Sequence, residues 1–304
     1  LSRFIPAFAD SQIVIRGDLQ HPQLAPSPRA ITLRHLLSHT SGLAADSLAH
    51  PLAAQLLGQV EVDGASSLKD VADRLAKVPL ADVPGTHFHY EGGNTDLLAR
   101  VVEVASGQPF AEFLQQRIFQ PLGMRDTMFE VPPAARARVV DLLTTDDESG
   151  ALRIARTLSA ERPGVRLKSY DGGAGGLYST AADYLRFASM LRNNGRGNGV
   201  RLLSRKTVDL MMADQLAGLE SSGQGHGKGE GFGLGGYVVT DPAARGKLGS
   251  VGQFGWSGAA STYFTVDRRE KLVAILLLQY LPGGETPLPT LSTPFFNLVY
   301  QAIP

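Results

Sequence analysis

Apolar residues recur at helical spacing across the first two-thirds of the chain and at strand spacing near its end. Residues 31 to about 194 are mostly helical in pattern. Val71, Leu75 and Val78 predict a short helix capped by Ser66 or Ser67 after Asp63-Gly64. Leu97, Leu98, Val101, Val102 and Ala105 share one helical face that Ser106-Gly107 ends. Phe110, Phe113, Leu114 and Ile118 repeat the spacing and predict a helix that stops before Pro121-Leu122-Gly123. Thr180 followed by Asp183 predicts a capping box opening a helix through Tyr184, Phe187, Ala188 and Leu191. A short helix is expected over residues 204–212, then an exposed Gly- and Ser-rich loop over 219–231. Residues 237–240, 261–266 and 272–280 read as strands, the last two joined at Asp267-Arg268-Arg269-Glu270, and 293–303 as a closing helix. This order predicts an α+β fold, an antiparallel sheet flanked by helices plus a mostly helical domain. The expected divisions are 1–30, a remnant of a further region; 31–228, the helical domain; and 229–304, the C-terminal part of the sheet domain.

Composition narrows the function classes. Lys plus Arg and Asp plus Glu are balanced at 29 each, and no basic run stands out, so no field recruits nucleic acid or an acidic membrane. The chain has no cysteine, which excludes disulfides, thiolate metal sites and a cysteine nucleophile but fits cytoplasm and periplasm alike. The strongest apolar stretch, residues 272–278, has strand length, well short of the roughly 18 residues that span a bilayer. Neither compartment nor oligomeric state follows.

Several short patterns carry candidate chemistry. Gly255-Trp256-Ser257-Gly258-Ala259 approaches the Gly-x-Ser-x-Gly nucleophile elbow, but that motif needs a strand–turn–helix and a strand is expected to follow here. Gly231-x-Gly233-x-x-Gly236 matches a dinucleotide fingerprint in letters only, because no helix follows; it reads as a glycine-rich strand entry, and no cofactor is expected. His87 and His89 share one face of any strand, a metal-binding spacing that lacks a third ligand in the sequence, so no metal site is expected. His35 and His39 stand one helical turn apart, but Thr40-Ser41-Gly42 ends that helix and assigns them to holding the loop.

Five phrases gain meaning from their order: His35-Leu-Leu-Ser-His39-Thr-Ser-Gly42-Leu43; Pro84-Gly85 with Phe88-His89-Tyr90; Gln120-Pro-Leu-Gly-Met124; Gly172-Gly-Ala-Gly-Gly176 through Asp183; and Phe254-Gly-Trp256-Ser257-Gly258-Ala259 running into Tyr263-Phe264 and Asp267. Together they resemble the serine β-lactamase, penicillin-binding-protein and family VIII esterase superfamily. The resemblance implies the β-lactamase/transpeptidase-like fold and an acyl-enzyme formed on the Ser of a Ser-x-x-Lys motif. It maps the family's Tyr onto Tyr90, and the strand motif beside the site onto Trp256-Ser257-Gly258. It also makes the Ala259 N–H one oxyanion donor. The family's usual amide two residues after the Tyr is Gly92 here, and Asn94 is the nearest amide; the resemblance places both with Trp256, Ser257, Gly258 and Ala259 as expected substrate-binding residues. Trp256 replaces a common cation with an indole, which favours uncharged acyl or alcohol groups.

The implied activity is therefore a carboxylesterase-like serine hydrolase on small to medium acyl esters. β-Lactamase, D-amino-acid peptidase, acyltransferase and a non-catalytic ligand- or partner-binding member are the alternatives. The expected partner is a small-molecule ester or amide. One element is displaced. The chain's only Ser-x-x-Lys match, Ser66-Ser67-Leu68-Lys69, stands close before Tyr90 where a helix cap is expected. Residues 1–8 resemble a segment that follows the nucleophile motif in the family. The nucleophile helix and the first sheet strands are thus expected upstream of Leu1, and the chain alone is expected to be inactive.

Overall fold

A computed structural model describes residues 1–44, 50–146, 148–221, 227–282 and 289–304. The loop expected over 219–231 falls partly outside the described residues, at 222–226. The chain opens with an antiparallel hairpin of β1 (Gln12–Gly17) and β2 (Pro22–Pro26). Asp18 turns it, its Oδ1 accepting from the N–H groups of Gln20 and His21 at 2.9 and 2.8 Å.

Helices build the first core. Helix α1 (Leu33–Leu37) opens on a reciprocal cap between Thr32 and His35, and α2 (Leu68–Leu75) on Ser67, whose Oγ accepts from Asp70 N–H at 3.1 Å. Helix α3 (Gly92–Ser106) ends at Gly107 with φ 71°, a conformation that costs glycine little. Leu36, Val71, Leu75 and Leu97 are buried together with Ile5, Phe8 and Tyr170. Each such side chain contributes about 1.5–3 kcal/mol by leaving water. Val78, expected on α2, lies beyond its end yet stays in this core.

The helix expected to stop before Pro121 runs through it. Phe110–Leu114 is α-helical, Gln115–Phe119 widens to a π-turn, and Gln120–Leu122 continues to Gly123 at φ 73°. A proline ring clashes with the carbonyl four residues back in a regular helix; the wider turn removes that clash.

Helix α4 (Ala181–Arg192) starts at Thr180, whose Oγ1 accepts from Asp183 N–H at 3.2 Å. The reciprocal half of the expected capping box does not form. The Asp183 carboxylate accepts instead from Asp126 N–H and Thr127 Oγ1 at 2.7 and 3.0 Å.

Five antiparallel strands form the main sheet: β3 (Glu230–Phe232), β4 (Tyr237–Val239), β5 (Phe254–Gly258), β6 (Thr262–Asp267) and β7 (Leu272–Leu277), with spatial order β7-β6-β5-β4-β3. The expected hairpin joins β6 to β7, its turn held by Asp267 Oδ1 accepting from Arg269 and Glu270 N–H at 3.0 and 3.1 Å. Helix α5 (Ser292–Gln301) lies against β7, and Tyr300 donates to Asp267 Oδ2 at 2.9 Å. Helix α4 packs across β6 and β7, so Ala188 and Leu191 share a core with Phe254, Phe264 and Val266. Phe119, Leu122, Met124 and Val208 join the same core, although the sequence division at 228/229 places them on the helical side. A third, small cluster of Phe88, Leu216 and Phe232, packed against Trp256, bridges the helical region and the sheet. No helix among the described residues is long and apolar enough to cross a membrane.

Candidate active site

Tyr90 stands at this bridge, and His39 holds it there. Gly85, at φ 85°, turns the chain and donates its N–H to the Thr40 carbonyl at 2.7 Å. The short strand His87–Phe88 then carries the chain past His39. His89 N–H donates to the His39 carbonyl at 2.9 Å, and Glu91 N–H donates to His39 Nδ1 at 3.2 Å. Both backbone neighbours of Tyr90 are therefore fixed to one residue, and the Tyr90 ring lies 4.6 Å from the His39 ring. His39 itself sits at φ 53°, and burial pushes its imidazole down to about 4, so the ring is neutral. The sequence assigned His39 to its loop; its bracketing of Tyr90 is visible only in the structure.

Tyr90 is 44% exposed, which is unusual for an aromatic seated on a buried cluster. Its Oη accepts from Trp256 Nε1–H at 3.4 Å, and the two rings are 4.9 Å apart. Phe232 packs against Trp256 at 5.1 Å and against His39 at 5.3 Å, the two residues whose rings flank Tyr90. Two segments 166 positions apart, both named by sequence, thus meet in one aromatic wall. Trp256 and Ser257 alternate on β5 and project to opposite faces. A cavity of about 450 Å³ opens beside them, lined also by Tyr237, Arg245, Tyr263 and Phe296. Ser257, Gly258 and Ala259 are exposed, and a side chain at Gly258 would meet Thr262 Oγ1.

The two amide-related positions behave differently. Gly92 opens α3, and a Cβ there would lie 3.2 Å from Ala174 Cβ, in the glycine-rich 172–176 loop. That loop closes on α3 because Gly173 has no side chain: a Cβ would stand 2.1 Å from the Thr95 carbonyl oxygen. Asp96, buried, accepts from Ala174 N–H at 2.9 Å and fixes the loop. Asn94 is fully buried. Its Oδ1 accepts from Ser41 Oγ at 2.6 Å, and its Nδ2 donates to His39 Nδ1 at 3.3 Å. Its amide is thus engaged on both sides, in the scaffold beneath Tyr90. Burial raises the pKa of Glu91, the α3 cap, whose carboxylate accepts from Gly93 N–H.

Neither alternative serine has nucleophile geometry. Ser66 N–H and Oγ both donate to Asp70 Oδ2, at 2.9 and 3.3 Å, while Lys69 reaches away to Asp73 at 2.6 Å. This is a helix start. Ser257 lies inside β5, paired with Tyr263, and another strand follows, so the strand–turn–helix of a nucleophile elbow is absent here.

The histidine pair that lacked a third ligand in the sequence acquires partners in space. Asp82 Oδ2 lies 2.7 Å from His89 Nε2 and 3.2 Å from His50 Nε2, and Asp82 Oδ1 lies 3.1 Å from His87 Nδ1. Burial opposes charge on Asp82, but the His89 hydrogen bond and the adjacent imidazoles hold its carboxyl below the usual range.

An antiparallel sheet backed by α4, with a mostly helical region against it and a Tyr–Trp wall at the junction, is the β-lactamase/transpeptidase-like α+β fold. Simvastatin synthase LovD from Aspergillus terreus, as its LovD6 mutant, superposes with a TM-score of 0.76 at 24% identity, over 99% of this chain and 74% of that one. The chain belongs to the Beta-lactamase family, whose profile matches residues 3–290. Protein Rv1367c of Mycobacterium tuberculosis is 35% identical over 84% of this chain, and the match spans 64% of Rv1367c. Esterase EstB of Burkholderia gladioli is 31% identical over 90% of this chain and 74% of its own length.

Proposed function

We propose that residues 1–304 form the Tyr-bearing wall and the sheet side of the cleft of a serine carboxylesterase that works through an acyl-enzyme. The observation that carries this reading is the Tyr90–Trp256 pair: an exposed phenol bonded to an indole at the junction of sheet and helical region. The similarity to Esterase EstB supports ester substrates.

In this reading a Ser and Lys from a segment outside residues 1–304 complete the site. The Ser oxygen attacks the ester carbonyl carbon, and the Ala259 N–H, with the nucleophile's own N–H, receives the developing oxyanion. With the Lys cation beside it, Tyr90 would act as the phenolate, taking the Ser proton and returning it to the departing alcohol. Water then attacks the acyl-enzyme and releases the acid. An acceptor alcohol in place of water gives acyl transfer with the same residues.

The wall favours neutral, small to medium acyl esters. Trp256 presents an indole, Ala174 fills the space beside Gly92, and the Asn94 amide is bonded inside the scaffold. A β-lactam's carboxylate would meet the Trp256 indole and its acylamide would meet Gly92, unsuitable partners that cost about 1–3 kcal/mol each. Full-length enzyme assayed on short-chain p-nitrophenyl esters and on penicillins tests this. Esters should lead by a large factor in kcat/KM, and comparable constants for the two classes would overturn the pocket assignment.

A further inference from the structure

We propose that His50, Asp82 and His89 bind one divalent transition-metal ion of the zinc type, at a site separate from the Tyr90–Trp256 cleft. Asp82 Oδ2, His50 Nε2 and His89 Nε2 all lie within 4.8 Å of one another. Two of the separations are already 2.7 and 3.2 Å. Zinc bonded to N and O ligands at about 2.0–2.1 Å in tetrahedral geometry holds its ligand atoms ~3.3 Å apart, so small side-chain movements suffice. Two imidazoles and a carboxylate suit zinc far better than calcium or magnesium, which take all-oxygen shells.

The cluster is built rather than accidental. His89 is 3% exposed at its side chain, Asp82 14% and His50 25%, so the ligand atoms sit in a recess. Asp82 is held by its backbone: Ala81 N–H donates to the Gly42 carbonyl at 2.7 Å, and Gly42 at φ 89° leaves no room for a Cβ against the Asp82 carbonyl. His89 is fixed by its N–H bond to His39. His87, on the other Asp82 oxygen, bonds Thr86 Oγ1 at 3.1 Å and stands at the margin, able to orient the carboxylate. Metal binding would replace the direct Asp82–imidazole contacts and clamp the segment from Asp82 to His89 that presents Tyr90.

The test uses tag-free, chelator-stripped full-length protein titrated with zinc, with bound metal counted after equilibrium dialysis. Cobalt is the spectroscopic probe. Wild type should retain one equivalent at micromolar zinc, show the visible bands of low-coordinate cobalt, and melt at a higher temperature with zinc than without. His50→Gln, at the partly exposed ligand, and Asp82→Asn should each weaken binding by at least about 100-fold, more than losing a supporting partner costs. Circular dichroism is to check that His50→Gln stays folded, so that a loss of metal reads as loss of a ligand. Wild type that retains no zinc at micromolar concentration, or His50→Gln and Asp82→Asn proteins that bind it undiminished, would overturn the proposal.

Discussion

Acidification should loosen the protein through His39 before any carboxylate of ordinary pKa is protonated. Burial holds the folded imidazole at about 4, whereas the unfolded one titrates near 6.5. Between those values the unfolded chain binds the proton and the folded chain does not, so stability rises with pH. It is fully present above pH 6.5 and is lost as pH falls towards 4. At ~1.4 kcal/mol per pH unit the whole window is worth about 3 kcal/mol, of which about 2 kcal/mol is gone by pH 5. The chemical reason is local: Nδ1 uses its lone pair to accept from Glu91 N–H and Asn94 Nδ2, which a protonated ring cannot do. Urea unfolding at pH 7, 6, 5 and 4.5, in chelator, measures it through the fluorescence of Trp256, the only tryptophan among residues 1–304, which lies in the same cluster. His39→Asn is the control, because asparagine tolerates the φ of 53° that residue 39 adopts. The wild type should lose stability down this series, and the variant should lose about 2 kcal/mol less by pH 5. Identical pH slopes in the two proteins would refute the reasoning.

In the full-length enzyme, Tyr90→Phe should lower kcat by roughly 10²–10⁴-fold with the melting temperature nearly unchanged, as expected for loss of a general acid/base. Ser257→Ala should be far milder in the same assay, and the reverse ranking would transfer the chemistry to Ser257. Gly173→Ala should destabilise by about 1–3 kcal/mol, because its Cβ would meet the Thr95 carbonyl oxygen at 2.1 Å. Gly175→Ala, with nothing within 4 Å of its Cβ, should be close to neutral in the same urea titration.

The helices were legible because their apolar spacing is long and their ends are punctuated: Gly107 and Gly123 stop their helices at positive φ, and Thr180 starts α4. Strand β5 was legible only through the family resemblance. Gly255 and Gly258 interrupt its apolar alternation, and Gly255 is required because a Cβ would meet the Phe264 carbonyl and the Tyr237 hydroxyl. The β1–β2 hairpin gives no signal because it is largely solvent-facing, with Ile15 56% exposed. At the site, the sequence placed Tyr90 and Trp256 in two motifs of one cleft, and their rings lie 4.9 Å apart; it also placed Asn94 among the substrate-binding residues, whereas Asn94 is fully buried in the scaffold. A signal was present: Asn94 shares the helical face of Leu97 and Val101, which points it into the core. Asp82 and His50 could not be joined to His89 by any spacing rule. Their meeting depends on the long-range pairing of Ala81 with Gly42.

The proposed chemistry needs a nucleophile that is neither Ser66 nor Ser257, opposite the Tyr90–Trp256 wall. Full-length protein treated with a fluorophosphonate ester and mapped by peptide mass spectrometry measures this directly. The account predicts a single stoichiometric adduct on a serine of a Ser-x-x-Lys segment outside residues 1–304, with ester hydrolysis abolished in parallel. An adduct on Ser257 or Ser66, or ester turnover that continues in fully labelled protein, would contradict it.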